Sequence, residues 1–187
     1  MATDGQMMRH GGRSRWTWLV WGGAALLLSL PFFAMRFTSA VNWSASDFVV
    51  MGIMLGVVCG AIELAARFSG NWAYRVGVAA AIVGAFLISW ANLAVGIVGS
   101  NDNPANLLFF GALLVGVVGS VVARFRPTGM AVAMLAAWAA VALAFVIAVM
   151  GQTDEAFVSH WNELFGTIVT SSPLLLSAWL FKRAARA

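Results

Sequence analysis

The chain has 187 residues, 61% of them hydrophobic and 10% charged, with a formal net charge of +4 and a mean hydropathy of +0.88. Soluble domains carry about 25% charged residues, so this balance excludes a soluble enzyme, a disordered chain and a disulfide scaffold. Cys59 is the single cysteine, which leaves no intrachain bridge and no cysteine-built metal site.

A membrane-spanning helix needs about 20 mostly apolar residues to cross roughly 30 Å of hydrocarbon. Six stretches meet that requirement: 16–35, 48–66, 76–98, 107–123, 130–150 and 164–181. The expected fold is all-α, a polytopic bundle of six transmembrane helices whose short loops make consecutive helices antiparallel neighbours. Residues 1–15 read as a flexible basic tail and 182–187 as a second one. The first span is long for the apolar core of a cleaved leader and reads as a helix that stays. Segment 36–47 follows it, with Trp43 as a surface anchor and Ser44 or Ser46 with Asp47 as an N-cap for span two.

Span two carries Gly52, Gly56 and Gly60 at four-residue spacing, a groove that admits a close helix. It also carries Glu63, the only acidic or basic residue inside any of the six spans. Span three places Ser89 and Asn92 on one face and ends at a strong turn signal, 99–104. Span four is short and is expected to borrow Ala105 and Asn106; Gly116 and Ser120 add to its packing seam. After the turn at 126–129, span five has Ala136, Ala140, Ala144 and Ala148 at four-residue spacing. Span six has Thr170, Ser171, Ser172 and Pro173 at its middle. The separations Asp47 to Arg67, Pro104 to Arg124 and Glu163 to Arg183 are equal, as three repeated helical hairpins would give.

Sorting the charges by loop gives an orientation. Arg9, Arg13, Arg15, Arg67, Arg75, Arg124, Arg126, Lys182, Arg183 and Arg186 fall on one side of the six spans, and Arg36 alone on the other. Asp47, Asp102, Asp154, Glu155 and Glu163 share the side of Arg36. The positive-inside rule then places both termini in the cytoplasm. The basic excess therefore records membrane orientation and not a nucleic-acid partner. Trp16, Trp18, Trp21, Trp72 and Trp179 lie near inner ends and Trp43 and Trp161 near outer ends, as an interfacial belt requires. Trp90 and Trp138 sit deeper, where they pack between helices.

Few residues offer chemistry. Glu63 shares the glycine stripe of span two, and an ionisable group inside a span is a functional candidate; its bland alternative is an ion pair with Arg67, Arg75 or Arg124. Proline at 173 removes a backbone hydrogen bond at mid-membrane, where a helix break can build a binding site and neighbouring hydroxyls can instead repair a kink. Asn92, Thr170, Ser172 and Pro173 therefore join Glu63 as candidate polar, ion or substrate contacts. Arg67, Tyr74, Arg75, Arg124 and Arg126 form an inner basic cluster suited to a lipid headgroup. His160 and Glu163 have the spacing of helical metal ligands, but a loop explains them as well, and neither metal nor cofactor is expected. Hydrolase elbows, zinc-protease histidine pairs and phosphate-binding loops do not occur.

Six stretches together resemble a family of short bacterial multi-pass inner-membrane proteins with no known activity. They are LVWGGAAL at 19–26, IELA at 62–65, SGNWAYR at 69–75, VGIVGSNDNPANL at 95–107, ARFRP at 123–127 and SAWLF at 177–181. The resemblance runs almost end to end and implies a Gram-negative inner membrane, without a mechanism. Asn101 departs from it, standing where an acid is expected, which weakens an outer cation site.

These readings lead to a non-enzymatic accessory, scaffold or assembly component, alone as a homo-oligomer or within a larger membrane complex. The main alternative is a small-solute or proton-coupled transporter or channel using Glu63 and a helix break at Pro173. An enzyme acting on lipid or quinone through Tyr74 and the inner arginines is a third.

Overall fold

The computed structural model describes the backbone of residues 4–68, 70–100, 102–151 and 160–187, and the side chains of these except 4–16, 65–68 and 160. The side chains of Arg9, Arg13, Arg15, Trp16, Arg67, Asn101, Asp154, Glu155 and His160 thus lie outside the described residues. The described residues are 85% helical, and among them six helices are long and apolar enough to cross a membrane. They are α1 (Asp4–Phe37), α2 (Ala45–Phe68), α3 (Trp72–Ala94), α4 (Leu107–Val122), α5 (Pro127–Gly151) and α6 (His160–Ala184). All six predicted spans have their helix. Helix α1 starts at Asp4 and so takes in most of the segment read as a tail.

The chain divides into two compact units, Met1–Leu64 and Ala65–Ala187. In the first, α1 and α2 run antiparallel. The Cys59 thiol donates to the Val20 carbonyl at 3.8 Å, and a Cβ on Gly52 would lie 3.8 Å from Leu28. The buried line of α2 is Met51, Leu55 and Cys59. A Cβ on Gly56 or Gly60 would meet nothing within 4 Å among the described residues. Ser44 begins α2 as a capping box: its N–H and hydroxyl each donate to Asp47 Oδ2 at 2.7 Å, and the Asp47 N–H returns to Ser44 Oγ at 3.4 Å. Trp43 packs edge-on against Phe48, 5.2 Å between ring centres.

In the second unit α4, α5, α6 and α3 lie side by side in that order. Consecutive helices α4/α5 and α5/α6 are neighbours as expected, but α3 packs along α6 and touches α4 little. Hairpins α3–α4 and α5–α6 are therefore not packed alike, contrary to a simple hairpin repeat. Glycine makes the α3–α6 contact close: a Cβ on Gly84 would fall 3.1 Å from Leu174, and one on Gly77 3.3 Å from Phe181. At the same level the buried Ser177 hydroxyl donates to the Gly77 carbonyl at 2.7 Å.

Helix α5 buries Met130, Met134, Ala137, Val141, Ala144 and Ala148. That line alternates steps of four and three, the 3.5-residue period of helices that wind gently around a partner. The alanine stripe predicted at a constant four drifts off the face: Ala136 is exposed and Ala140 half-buried, while Ala144 and Ala148 stay in the core. On α4, Gly116 and Ser120 are buried against it, and a Cβ on Gly116 would lie 3.1 Å from the Ala137 Cβ.

Candidate functional site

Two ends and a middle of the second unit hold its polar side chains. One end is the connection from α3 to α4. Helix α3 stops at Ala94, four residues short of the predicted end at 98, although 95–98 are apolar. Gly96 and Gly99 take positive φ of 78° and 67°, which turns the chain back over the helix ends. Asn106 holds that turn. Its Oδ1 accepts from the N–H groups of Ile97 and Val98, both at 3.1 Å, and its Nδ2 donates to the carbonyls of Val98 at 3.2 Å and Ser100 at 2.8 Å. The buried Glu163, from the start of α6, accepts the Gly99 N–H at 2.6 Å. Asn103 caps the 3-10 turn Pro104–Asn106, which lengthens α4 as expected from Ala105 and Asn106. Neither Asn106 nor Glu163 was picked from sequence for this role. The sequence reading gives Glu163 as an acid of the outer connections or a ligand beside His160; the structure buries its side chain against the α3–α4 turn.

The middle contains the predicted proline region. Helix α6 runs on through Pro173, from His160 to Ala184, as the kink reading and not the helix break would have it. Proline leaves the carbonyl four residues earlier, that of Val169, without its helical donor. The Ser172 hydroxyl donates to that carbonyl at 2.9 Å. Thr170 donates to Gly166 at 2.8 Å and Thr167 to Glu163 at 2.8 Å, so these hydroxyls too are bonded within their own helix. Thr167, Ser171 and Ser172 line one wall of an open, mainly apolar groove between α5 and α6 of about 330 Å³, faced by Trp138 and Phe145.

Asn92 differs. It is 4% exposed on α3, and neither its Nδ2 nor its Oδ1 has a hydrogen-bond partner among the described residues. The α3–α6 register, set by Gly77 against Phe181 and Gly84 against Leu174, puts Asn92 level with Thr167. A buried amide without a partner costs about 2–7 kcal/mol on transfer scales. In the first unit, Glu63 is half-buried on α2, one turn beyond Cys59.

The other end gathers cations. Asn71 caps α3, accepting from the N–H groups of Ala73 at 2.9 Å and Tyr74 at 3.3 Å, and donates to the Ala184 carbonyl at 3.4 Å. The Tyr74 hydroxyl donates to the Phe125 carbonyl at 2.9 Å, and its ring meets Phe181 edge-on at 5.2 Å. Arg124 and Phe125 both have positive φ, 50° and 56°, in the turn before Pro127. Of the predicted basic cluster, Tyr74, Arg75, Arg124 and Arg126 are brought to this one end.

No family model, curated protein or solved structure matches this chain.

Proposed function

We propose that this chain is a non-enzymatic accessory, scaffold or assembly component of a bacterial inner membrane, with both termini cytoplasmic. Its six long apolar helices fit a multi-pass membrane protein. The observation that carries the reading is how the second unit uses its buried polar groups. Asn106, Glu163, Thr167 and Ser177 are all engaged in holding the chain's own turns and helices together. A unit that ties its polar groups inward is built to be a rigid shape in lipid. Such a component acts through its surface, on a second copy or on other membrane subunits. Purification from native membrane in a mild detergent, with mass spectrometry of the copurifying chains, tests this. A stoichiometric partner or a stable homo-oligomer is the expected result, and a monomer without partners overturns it.

Asn92 favours a second reading, a small-solute or proton-coupled transporter. Its unpartnered carboxamide is the kind of group that a passing polar solute or water satisfies. Proton flux into liposomes containing the chain, followed by an entrapped pH dye, distinguishes the two. Flux that falls in Glu63→Gln and Asn92→Leu supports transport; no flux above empty liposomes removes it.

A further inference from the structure

We propose that the groove between α5 and α6 is a binding site for the ring of an isoprenoid quinone, entered sideways from the bilayer. Two donors that the fold leaves unspent carry the inference. Ser171 lines the groove and is only 3% exposed, yet its hydroxyl has no hydrogen-bond partner among the described residues. The hydroxyls on either side of it are spent, Thr170 on Gly166 and Ser172 on the Val169 carbonyl that Pro173 frees. The carbonyl one turn before Ser171, that of Thr167, already takes the Thr170 hydroxyl at 3.3 Å. Across the groove stands Trp138, half-buried, whose indole N–H also has no acceptor among the described residues. Buried hydroxyls and indole N–H groups ordinarily find partners. Two such donors on facing helices call for one ligand that accepts.

Depth decides which acceptor. Trp138 and Ser171 each stand one residue from the midpoint of their helix, Pro127–Gly151 and His160–Ala184. In helices long and apolar enough to span, that is the middle of the hydrocarbon, about 15 Å from the nearest phospholipid ester. Phospholipid tails accept no hydrogen bond there, and water is excluded. A quinone is different: it carries two carbonyl oxygens on a flat apolar ring, and its polyprenyl tail makes it soluble at that depth. Trp138 and Phe145 give the groove aromatic faces of the kind on which a flat ring stacks. Of the groove's roughly 330 Å³, the part beside Trp138 and Ser171 offers the donors. The part past Phe145, Val146 and Leu164 is apolar and suits a prenyl tail. The site follows from the groove and its donors alone, so it stands whether the chain works as a scaffold or as a transporter.

Thermal melting of the full chain in phosphatidylcholine nanodiscs, titrated with decylubiquinone, tests this; decylbenzene supplies a ring and tail without carbonyls. Decylubiquinone is expected to raise Tm in a saturable way and decylbenzene to leave it unchanged. Ser171→Ala and Trp138→Phe should each raise the half-saturating concentration about fivefold, the contribution of one hydrogen bond. Ser120→Ala removes a buried hydroxyl of α4 that is spent on Gly116, and should change it by less than about twofold. Ala142→Phe fills the groove from an exposed position on its wall and should abolish the response. No response to decylubiquinone, or an equal one to decylbenzene, overturns the proposal. So does an unchanged half-saturating concentration in both Ser171→Ala and Trp138→Phe, or a response that survives Ala142→Phe. A dimer that Ala142→Phe splits, with no response to the quinone, assigns the groove to a second copy and overturns it as well. Should one donor variant not fold, the other carries the test with Ala142→Phe.

Discussion

Asn106 and Asn92 are the same residue, 5% and 4% exposed, in the same unit of the chain. One makes four hydrogen bonds to the backbone and the other makes none among the described residues. Asn106 stands beside a loop, where backbone N–H and C=O groups have no helical partners and a carboxamide can supply both complements. Asn92 stands within a helix, where the backbone around it is already bonded to itself. Burial of a polar group thus says little until the state of the nearby backbone is known. Asn106 is explained by the fold; Asn92 asks for something from outside it.

Three substitutions press on this contrast. Asn106→Ala leaves the buried N–H groups of Ile97 and Val98 without acceptors and should lower stability by about 3 kcal/mol, read from melting in detergent. A loss below about 1 kcal/mol would mean that the α3–α4 turn holds without its carboxamide. Asn92→Leu removes an unpartnered amide and should stabilise by about 1–2 kcal/mol. If it destabilises as much as Asn106→Ala, then Asn92 has a partner of its own and the contrast dissolves. Ser172→Ala has the smallest expected effect, about 0.5 kcal/mol, the size of a typical side-chain hydrogen bond inside a membrane protein. A Tm drop matching that of Asn106→Ala would show that the carbonyl left by Pro173 depends on this hydroxyl.

The six helices were legible because a membrane imposes one simple demand, a long apolar run, that composition answers directly. The end of α3 was not. Residues 95–98 are Val, Gly, Ile and Val, and hydropathy continues the helix through them. What stops it is a pair of glycines at positive φ and the carboxamide of Asn106, a bond that runs back across the turn and that hydropathy does not register. Glu163 was hidden for a different reason, since its partner Gly99 lies 64 positions away in the chain. The alanine seam on α5 was only half placed because small residues at a constant spacing of four rotate slowly around a helix, whereas its packed face follows an alternating line of steps of four and three. The basic end was half legible. Its arginines stood out by charge, but the contacts that collect them, Tyr74 with Phe125 and Phe181, and Arg183 with two indoles, appear only in three dimensions.

Gly129 sets how much change the α4–α5 connection can take. A Cβ there would fall 2.5 Å from the Ala123 Cβ, so the first turn of α5 lies directly on the residue that ends α4, across a connection only four residues long. Such a connection has no slack to absorb added residues. A tag inserted between residues 123 and 127 is therefore expected to lower Tm in detergent, while the same insertion at 38–43 lowers it less.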